Sequence, residues 1–201
     1  MAGGVGRGGS PPGPGRRRFG ARPPRVPEDP ASVTAARGRA IGLLARRDLP
    51  RRALKGRLTE AGFETEAAEA AVVELEDERL VSDARYVEAA VASRIARGQG
   101  PLRIALELRR LGVAAELVGP AVDMRSPEWT DRAVSARQRR FGAGTPRDEA
   151  TTARQARFLL ARGFTGEQVR AAIGRRAAEV LGELETPESA DATGGDDDGT
   201  P

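Results

Sequence analysis

The chain has 201 residues, of which 39% are hydrophobic and only 3% aromatic, and this composition argues against one large apolar core. It contains no cysteine and no histidine, which excludes disulfides and thiolate zinc sites and removes the commonest general base. We therefore expect a protein that is not an enzyme and that has no catalytic, cofactor-binding or metal-binding residues.

The basic residues of the chain are almost all arginine. All 33 except Lys55 are arginine, and the formal net charge is +4. Because a guanidinium binds phosphate or carboxylate through two parallel hydrogen bonds, this bias favours a nucleic-acid or acidic-protein partner. A GC-rich coding sequence explains the same bias equally well.

The first segment, residues 1–30, is rich in Arg, Gly and Pro and has no apolar period. Such a segment buries too little surface to offset its conformational entropy, so we predict a disordered basic arm. It is either a plain extension or an arm that contacts nucleic acid. No apolar run approaches the ~20 residues of a membrane span. The N-terminus also lacks the hydrophobic segment of a secretory signal, so we expect a cytoplasmic protein with no membrane partner.

Residues 31–79 are predicted to form helical repeat 1. Its second helix is expected to start after Pro50, with Leu54 and Leu58 on its apolar stripe, and its third helix to follow Gly62. The repeat also contains a basic cluster that we interpret as a candidate DNA-facing patch, with a solvated surface as the alternative. The members of this cluster are Arg46, Arg47, Arg51, Arg52, Lys55 and Arg57.

Residues 80–124 are predicted to form repeat 2, whose first two helices have the clearest signals. Before the first helix, Ser82 or Asp83 can supply the N-cap oxygen, and for Asp83 we favour this role over binding a partner. The second helix begins at Pro101, which suits a first turn because it lacks an N–H, and Gly112 occupies the left-handed C-cap position. The apolar stripe of the first helix consists of Val87, Val91 and Ile95. That of the second helix consists of Ile104, Leu108 and Leu111.

Basic residues lie opposite the second of these stripes, at Arg103, Arg109 and Arg110. We interpret them, together with Arg85 in the first helix, as candidate partner-binding residues. The alternative is a solvated helix face on which Arg103 pairs with Glu107 four positions later, a pair worth ~0.3 kcal/mol.

Residues 125–184 are predicted to form repeat 3, because the helical pattern recurs. Gly62, Gly112 and Gly163 are 50 and 51 residues apart, and each precedes a third helix. Counting back from Gly163 places the start of the second helix of repeat 3 at Thr151. The first helices of the three repeats are expected near 32–47, 83–97 and 127–141.

The chain ends in an acidic segment, residues 185–201, which we predict to be a disordered tail. The predicted fold is therefore all-α, with three tandem three-helix repeats that form an elongated, curved helical body between two disordered tails.

The sequence resembles the RecX family over about residues 32–175. The resemblance is most specific in repeat 2, in Asp83-x-Arg85-Tyr86 and in Gly100-Pro101-x-Arg103-Ile104-x-x-Glu107-Leu108-x-x-x-Gly112. The run from Phe158 to Phe164 looks like the closing signature of the family. The chain departs from the pattern at Pro50, where a helix-capping serine is usual.

The resemblance implies a regulator of the RecA recombinase. Such a protein is expected to bind the RecA filament on single-stranded DNA and to inhibit ATP hydrolysis, strand exchange and RecA-promoted repressor cleavage. It would act as a monomer, with single- or double-stranded DNA as a further partner and without a cofactor. The alternative is a basic helical module that binds nucleic acid directly and competes with RecA for single-stranded DNA.

Overall fold

The structure, a computed structural model, describes residues 27–174 together with Ala177 and Gly182. Residues 1–26 of the predicted arm and the whole predicted acidic tail lie outside this part of the chain. The described residues form nine α-helices and no strand, which confirms the all-α prediction. The helices are α1 Val33–Leu44, α2 Arg51–Glu60, α3 Thr65–Asp77, α4 Asp83–Ala96, α5 Pro101–Arg110, α6 Ala115–Ala121, α7 Glu128–Phe141, α8 Glu149–Ala161 and α9 Gly166–Ile173.

The nine helices fall three to each predicted repeat, and each repeat closes around its own third helix. The main helix contacts within repeat 1 are those of α3 with α1 and α2, and within repeat 3 those of α9 with α7 and α8. In repeat 2, α6 packs on α4 and α5. The helical-repeat architecture is confirmed, and the elongated, curved outline stays a prediction.

The buried apolar side chains form two separate clusters. One lies mainly in repeat 1, includes Leu54, Leu58 and Leu75, and takes in Val81 at the start of repeat 2. The other is continuous through repeats 2 and 3 and includes Ile104 and Phe164. The first cluster reaches repeat 2 through Val81, and the side-chain carbons of Arg52 lie against Gly112, so repeats 1 and 2 share only a small apolar contact.

The predicted stripes of repeat 2 face the core. Val87, Ile104 and Leu108 are buried, while Ile95 and Leu111 are half-buried at the ends of their stripes. The buried side chains are spaced three or four residues apart, which places them on one face of each helix. These stripe predictions are confirmed.

The turn glycines adopt the backbone that the sequence predicts. Gly62, Gly112 and Gly163 have φ values of 99°, 81° and 88°, in the left-handed region that a side chain disfavours. At each of them a second helix ends and the chain turns into the third helix, as the C-cap pattern requires.

The second helix of repeat 3 starts earlier than the repeat spacing predicts. The predicted start at Thr151 is wrong, because α8 begins at Glu149 with Asp148 as its N-cap. The Asp148 carboxylate accepts a hydrogen bond from the Thr151 N–H at 2.7 Å, so Thr151 lies within the first turn. A local capping side chain thus moved the start of the helix away from the position that the repeat period implied.

Repeats 2 and 3 are joined by backbone hydrogen bonds at the start of α5. The Gly100 N–H donates to the Arg162 carbonyl at 2.7 Å, and the Leu102 N–H donates to the Gly163 carbonyl at 2.9 Å. A Cβ atom at Gly100 would collide with the backbone of Gly163 and Phe164. Glycine at position 100 therefore permits this close approach of the two repeats.

Candidate partner-binding surfaces

Asp83 connects repeat 2 to repeat 1. The N-cap of α4 is Ser82, whose Oγ accepts a hydrogen bond from the Arg85 N–H, so the candidate Ser82 is confirmed and the N-cap role favoured for Asp83 is wrong. The Asp83 carboxylate instead accepts from the backbone N–H of Arg51 at 2.7 Å. It thereby satisfies an amide at the start of α2, where Pro50 offers no side-chain acceptor.

The predicted candidate Arg85 makes local backbone contacts. Its guanidinium donates to the carbonyls of Arg79 and Leu80, both at 3.2 Å. Arg79 has a φ of 60°, and its carbonyl lies in the turn that follows α3. Arg85 therefore stabilises the connection between α3 and α4. This role explains the arginine at this position without invoking a binding partner.

The basic cluster of repeat 1 is partly neutralised by its own acidic residues. Arg51 forms ion pairs with Glu69 at 2.6 Å and Glu76 at 2.8 Å, and Lys55 pairs with Glu69 at 2.7 Å. The hydrogen bond from Lys55, followed by that from Arg51, holds the pKa of the Glu69 carboxyl below its usual value. These cations are therefore engaged within the repeat.

The remaining basic residues of the repeat 1 cluster differ in their contacts. Arg46, Arg47 and Arg52 are exposed and have no ion pair with a carboxylate among the described residues. Arg57 pairs with Glu60 at 3.3 Å. Arg52 also borders a groove of about 520 Å³ next to Gly112. The structure thus brings Arg51, Arg52 and Lys55 to one groove and leaves only part of the charge of the cluster available.

The outward side of α5 carries two large apolar residues. Leu102 and Leu106 are 44% and 47% exposed, whereas Ile104 and Leu108 on the same helix are fully buried. Arg109 and Arg110 are exposed one turn further on, without an ion pair in the described region. Leu106 follows Leu102 by four residues, and Arg109 and Arg110 follow Leu106 by three and four, so each step is about one helical turn. We call these four residues the outward face of α5.

The sequence prediction identified the two arginines of this face but missed both leucines. The sequence does contain a signal for this face, because two leucines four residues apart lie on the polar side of an amphipathic helix. Exposed leucines are common singly, but a pair on one helix face beside unpaired cations is a feature of binding surfaces.

Arg103 is an exposed residue that has a structural role at the joint between repeats 2 and 3. It donates to Glu107 at 3.1 Å, as the predicted alternative required, and to the Ala161 carbonyl at 3.4 Å. Arg94 binds the same carboxylate at 2.6 Å. The hydrogen bonds from Arg94 and then Arg103 lower the pKa of Glu107, against the opposing effect of its burial.

The described residues offer little else for chemistry. No group of three or more acidic side chains in residues 27–174 is placed to hold a metal ion. Within the same part of the chain, every helix is too short or too polar to cross a membrane.

The sequence and fold match known proteins. Residues 82–121 match the family model described as RecX, second three-helix domain, and residues 128–173 match the third three-helix domain. The chain is 43% identical over 142 residues to the regulatory protein RecX of Halorhodospira halophila, which covers 71% of this chain and 88% of that protein. It is 39% identical over 134 residues to the protein of the same name from Stenotrophomonas maltophilia, with coverages of 67% and 82%.

A solved structure supports the fold alone. The crystal structure of RecX from Lactobacillus salivarius superposes with a TM-score of 0.59 at 16% identity, and covers 76% of this chain and 96% of that one.

Proposed function

This chain belongs to the RecX family of regulatory proteins, and we propose that it binds the RecA filament on single-stranded DNA and inhibits RecA. The inhibited activities are ATP hydrolysis, strand exchange and RecA-promoted repressor cleavage. The protein acts as a monomer in the cytoplasm and contributes no catalytic step of its own.

The outward face of α5 is the observation that carries this proposal. Leu102 and Leu106 expose apolar surface that is stabilised when a partner removes it from water. Arg109 and Arg110 lie beside them, and arginine next to a desolvated apolar centre is typical of the residues that dominate protein interfaces. A protein surface with an acidic rim and an apolar pocket fits this arrangement, so we place the RecA contact here.

The basic cluster of repeat 1 is the weaker candidate for the RecA contact. Arg51 and Lys55 are already paired with Glu69, and moving them to a partner would break those pairs. The cations that remain available are Arg46, Arg47 and Arg52. The exposed large apolar residue nearest to them in the sequence is Ile41. This surface supplies charge that can steer encounter, without a comparable apolar pair.

The experiment that tests the function is titration of RecA with the full chain. RecA ATPase activity is measured on single-stranded DNA, and binding of the chain to the same DNA without RecA is measured in parallel. Inhibition at concentrations that leave bare DNA unbound supports a contact with the filament. Inhibition only where bare DNA is saturated would favour competition for single-stranded DNA, and no inhibition at any concentration would contradict the proposal.

A further inference from the structure

A second arginine-rich surface lies where α7 and α8 meet the turn after α4. Two depressions of about 180 and 590 Å³ share Arg140 and Phe158 as lining residues. Neither depression is lined by a carboxylate. The arginines that line the two are Arg97, Arg139, Arg140, Arg154, Arg157 and Arg162, and we call this set the α7–α8 arginine surface.

Two phenylalanines organise these arginines. Phe141 and Phe158 pack edge to face with their ring centroids 5.3 Å apart. The guanidinium groups of Arg140 and Arg154 lie 5.5 and 5.4 Å from the centroid of Phe141, and that of Arg162 lies 5.0 Å from the centroid of Phe158. Stacking on a ring restrains a guanidinium plane while its edge N–H groups stay available as donors.

The charge of this surface is not compensated by any carboxylate in the part of the chain that the structure describes. None of the six arginines has an ion pair with a carboxylate of the described residues, in contrast to Arg51 in repeat 1. Arg162 donates instead to the carbonyl of Arg97 at 2.8 Å. Six guanidinium groups that lack a described counter-ion, gathered around one pair of rings, produce a local field that attracts anions.

A buried arginine next to the surface adds to this field. Arg137 on α7 is 3% exposed and donates to the Gly144 carbonyl at 2.7 Å and to the Gln155 Oε1 at 3.4 Å. Its Nε is buried without an acceptor, and no described carboxylate pairs with it. A buried cation without a counter-ion is costly, and a bound anion close to α7 would offset part of that cost.

We infer that the α7–α8 arginine surface binds the sugar–phosphate backbone of nucleic acid without regard to base sequence. Protein interfaces have an apolar centre that lacks charge, whereas interfaces with nucleic acid are more polar and strongly positive. The rings of Phe141 and Phe158 are half-buried and face stacked guanidinium groups. They therefore support arginines rather than bases, and the arginines contact phosphates.

This site shares no residue with the outward face of α5, and its binding to bare DNA does not depend on RecA. The full chain therefore has one surface suited to a protein and another suited to nucleic acid. A test on bare DNA leaves the RecA proposal untouched, so the two can fail independently.

The experiment measures binding of fluorescein-labelled single-stranded oligonucleotides to the full chain by fluorescence anisotropy, over a series of salt concentrations. The test variant is Arg139→Glu with Arg157→Glu, since neither side chain stacks on a ring or has a hydrogen bond among the described residues. The control is Arg39→Glu with Arg125→Glu, which changes the net charge by the same amount at two exposed positions that belong to neither surface.

We expect the test variant to lose affinity about tenfold at moderate salt, and its log–log salt slope to fall by about 1.4, or 0.7 for each lost phosphate contact. The control should bind within about twofold of the parent. The loss should be the same for oligothymidylate and for a mixed sequence, because the backbone is common to both.

Three results would overturn the inference. They are equal losses in the test and control variants, undiminished binding by the test variant, or binding of the parent to poly-glutamate as tight as to DNA at the same salt. Circular dichroism checks that each variant is folded. If the reversal variant unfolds, Arg139→Gln with Arg157→Gln replaces it, and it should weaken binding in the same direction.

Discussion

The carboxylate of Asp83 and the backbone N–H of Arg51 form a hydrogen bond of 2.7 Å between residues 32 positions apart. The first amide of α2 is thereby satisfied by the following repeat rather than by its own N-cap. Pro50, at the N-cap position, has an extended backbone but no side-chain acceptor. The main apolar clusters of repeat 1 and of repeats 2 and 3 are separate, and this bond is a specific polar link between repeats 1 and 2.

Asp83→Ala is expected to destabilise the protein. Loss of a helix-capping acceptor costs about 1 kcal/mol, and here the change also removes a link between repeats 1 and 2. Urea denaturation followed by circular dichroism measures the free energy of unfolding. Asp48→Ala is the control, because Asp48 is exposed and has no hydrogen bond or ion pair within the described residues. Equal stability of the two variants would contradict the capping role.

A serine at Pro50 should compensate in part for the loss of Asp83. A serine Oγ at the N-cap can accept from an amide of the first turn, which Pro50 cannot do. Pro50→Ser in the Asp83→Ala background is therefore expected to recover about 0.5 kcal/mol in the same urea experiment. No recovery would mean that the amides at the start of α2 are not the groups left unsatisfied.

Gly100→Ala is expected to separate the start of α5 from the turn that joins α8 to α9. The added methyl group would meet backbone atoms of Gly163 and Phe164, which cannot move aside as a flexible side chain can. Overpacking of this kind costs about 1–3 kcal/mol, and the bonds to the Arg162 and Gly163 carbonyls would weaken with it. The free energy of unfolding measures the effect.

The control for this change is Gly38→Ala. Gly38 lies inside α1 with open space where a Cβ would be placed, so alanine should raise stability by up to about 1 kcal/mol through its higher helix propensity. Opposite signs for the two glycine substitutions are expected. If Gly100→Ala proved as harmless as Gly38→Ala, the close approach of repeats 2 and 3 would be refuted.

Glu107 should make stability depend on pH in the acid range. Its pKa is lowered in the folded protein, first by the hydrogen bond from Arg94 and then by that from Arg103. A lowered pKa stabilises the folded state above the ordinary glutamate pKa, and this stabilisation is lost as the pH falls through the native value.

Glu107→Gln is therefore expected to lower stability by about 1 kcal/mol at neutral pH. The difference in the free energy of unfolding should narrow as the pH falls below the ordinary glutamate pKa of about 4.3, and it should vanish only below the lowered native pKa. Urea denaturation at a series of pH values tests this, with Glu88→Gln as the control, because Glu88 is an exposed residue of α4 without an ion pair in the described region. A difference in the free energy of unfolding between the parent and Glu107→Gln that stays constant across the acid range would contradict the account.

Local periodicity explains why much of the fold could be predicted. The stripe that contains Ile104 and Leu108 and the left-handed glycines Gly112 and Gly163 are properties of short segments, and the structure confirms them. The start of α8 was missed because Asp148, a local cap, outweighs the repeat spacing.

The candidate sites depend on contacts that no local pattern contains. The Asp83 bond to Arg51 and the Arg103 bond to the Ala161 carbonyl join distant positions. Likewise, Phe141 and Phe158 are brought together only when α7 packs on α8. A sequence shows where arginines occur, but ion pairs such as that of Arg51 with Glu69 decide which of them are available to a partner.

The claim that the outward face of α5 binds RecA is tested most directly with Leu102→Ser and Leu106→Ser in one variant. Both side chains are exposed, so the core and the net charge are preserved. The measurement is the concentration that half-inhibits RecA ATPase activity on single-stranded DNA. The control is Ile41→Ser with Leu80→Ser, which removes apolar side chains that are 40% and 48% exposed elsewhere on the surface.

We predict that the half-inhibitory concentration of the Leu102 and Leu106 variant rises about tenfold, equivalent to about 1.4 kcal/mol of binding free energy. The control should inhibit like the parent. Undiminished inhibition by the folded Leu102 and Leu106 variant, or an equal loss in the control, would contradict the account.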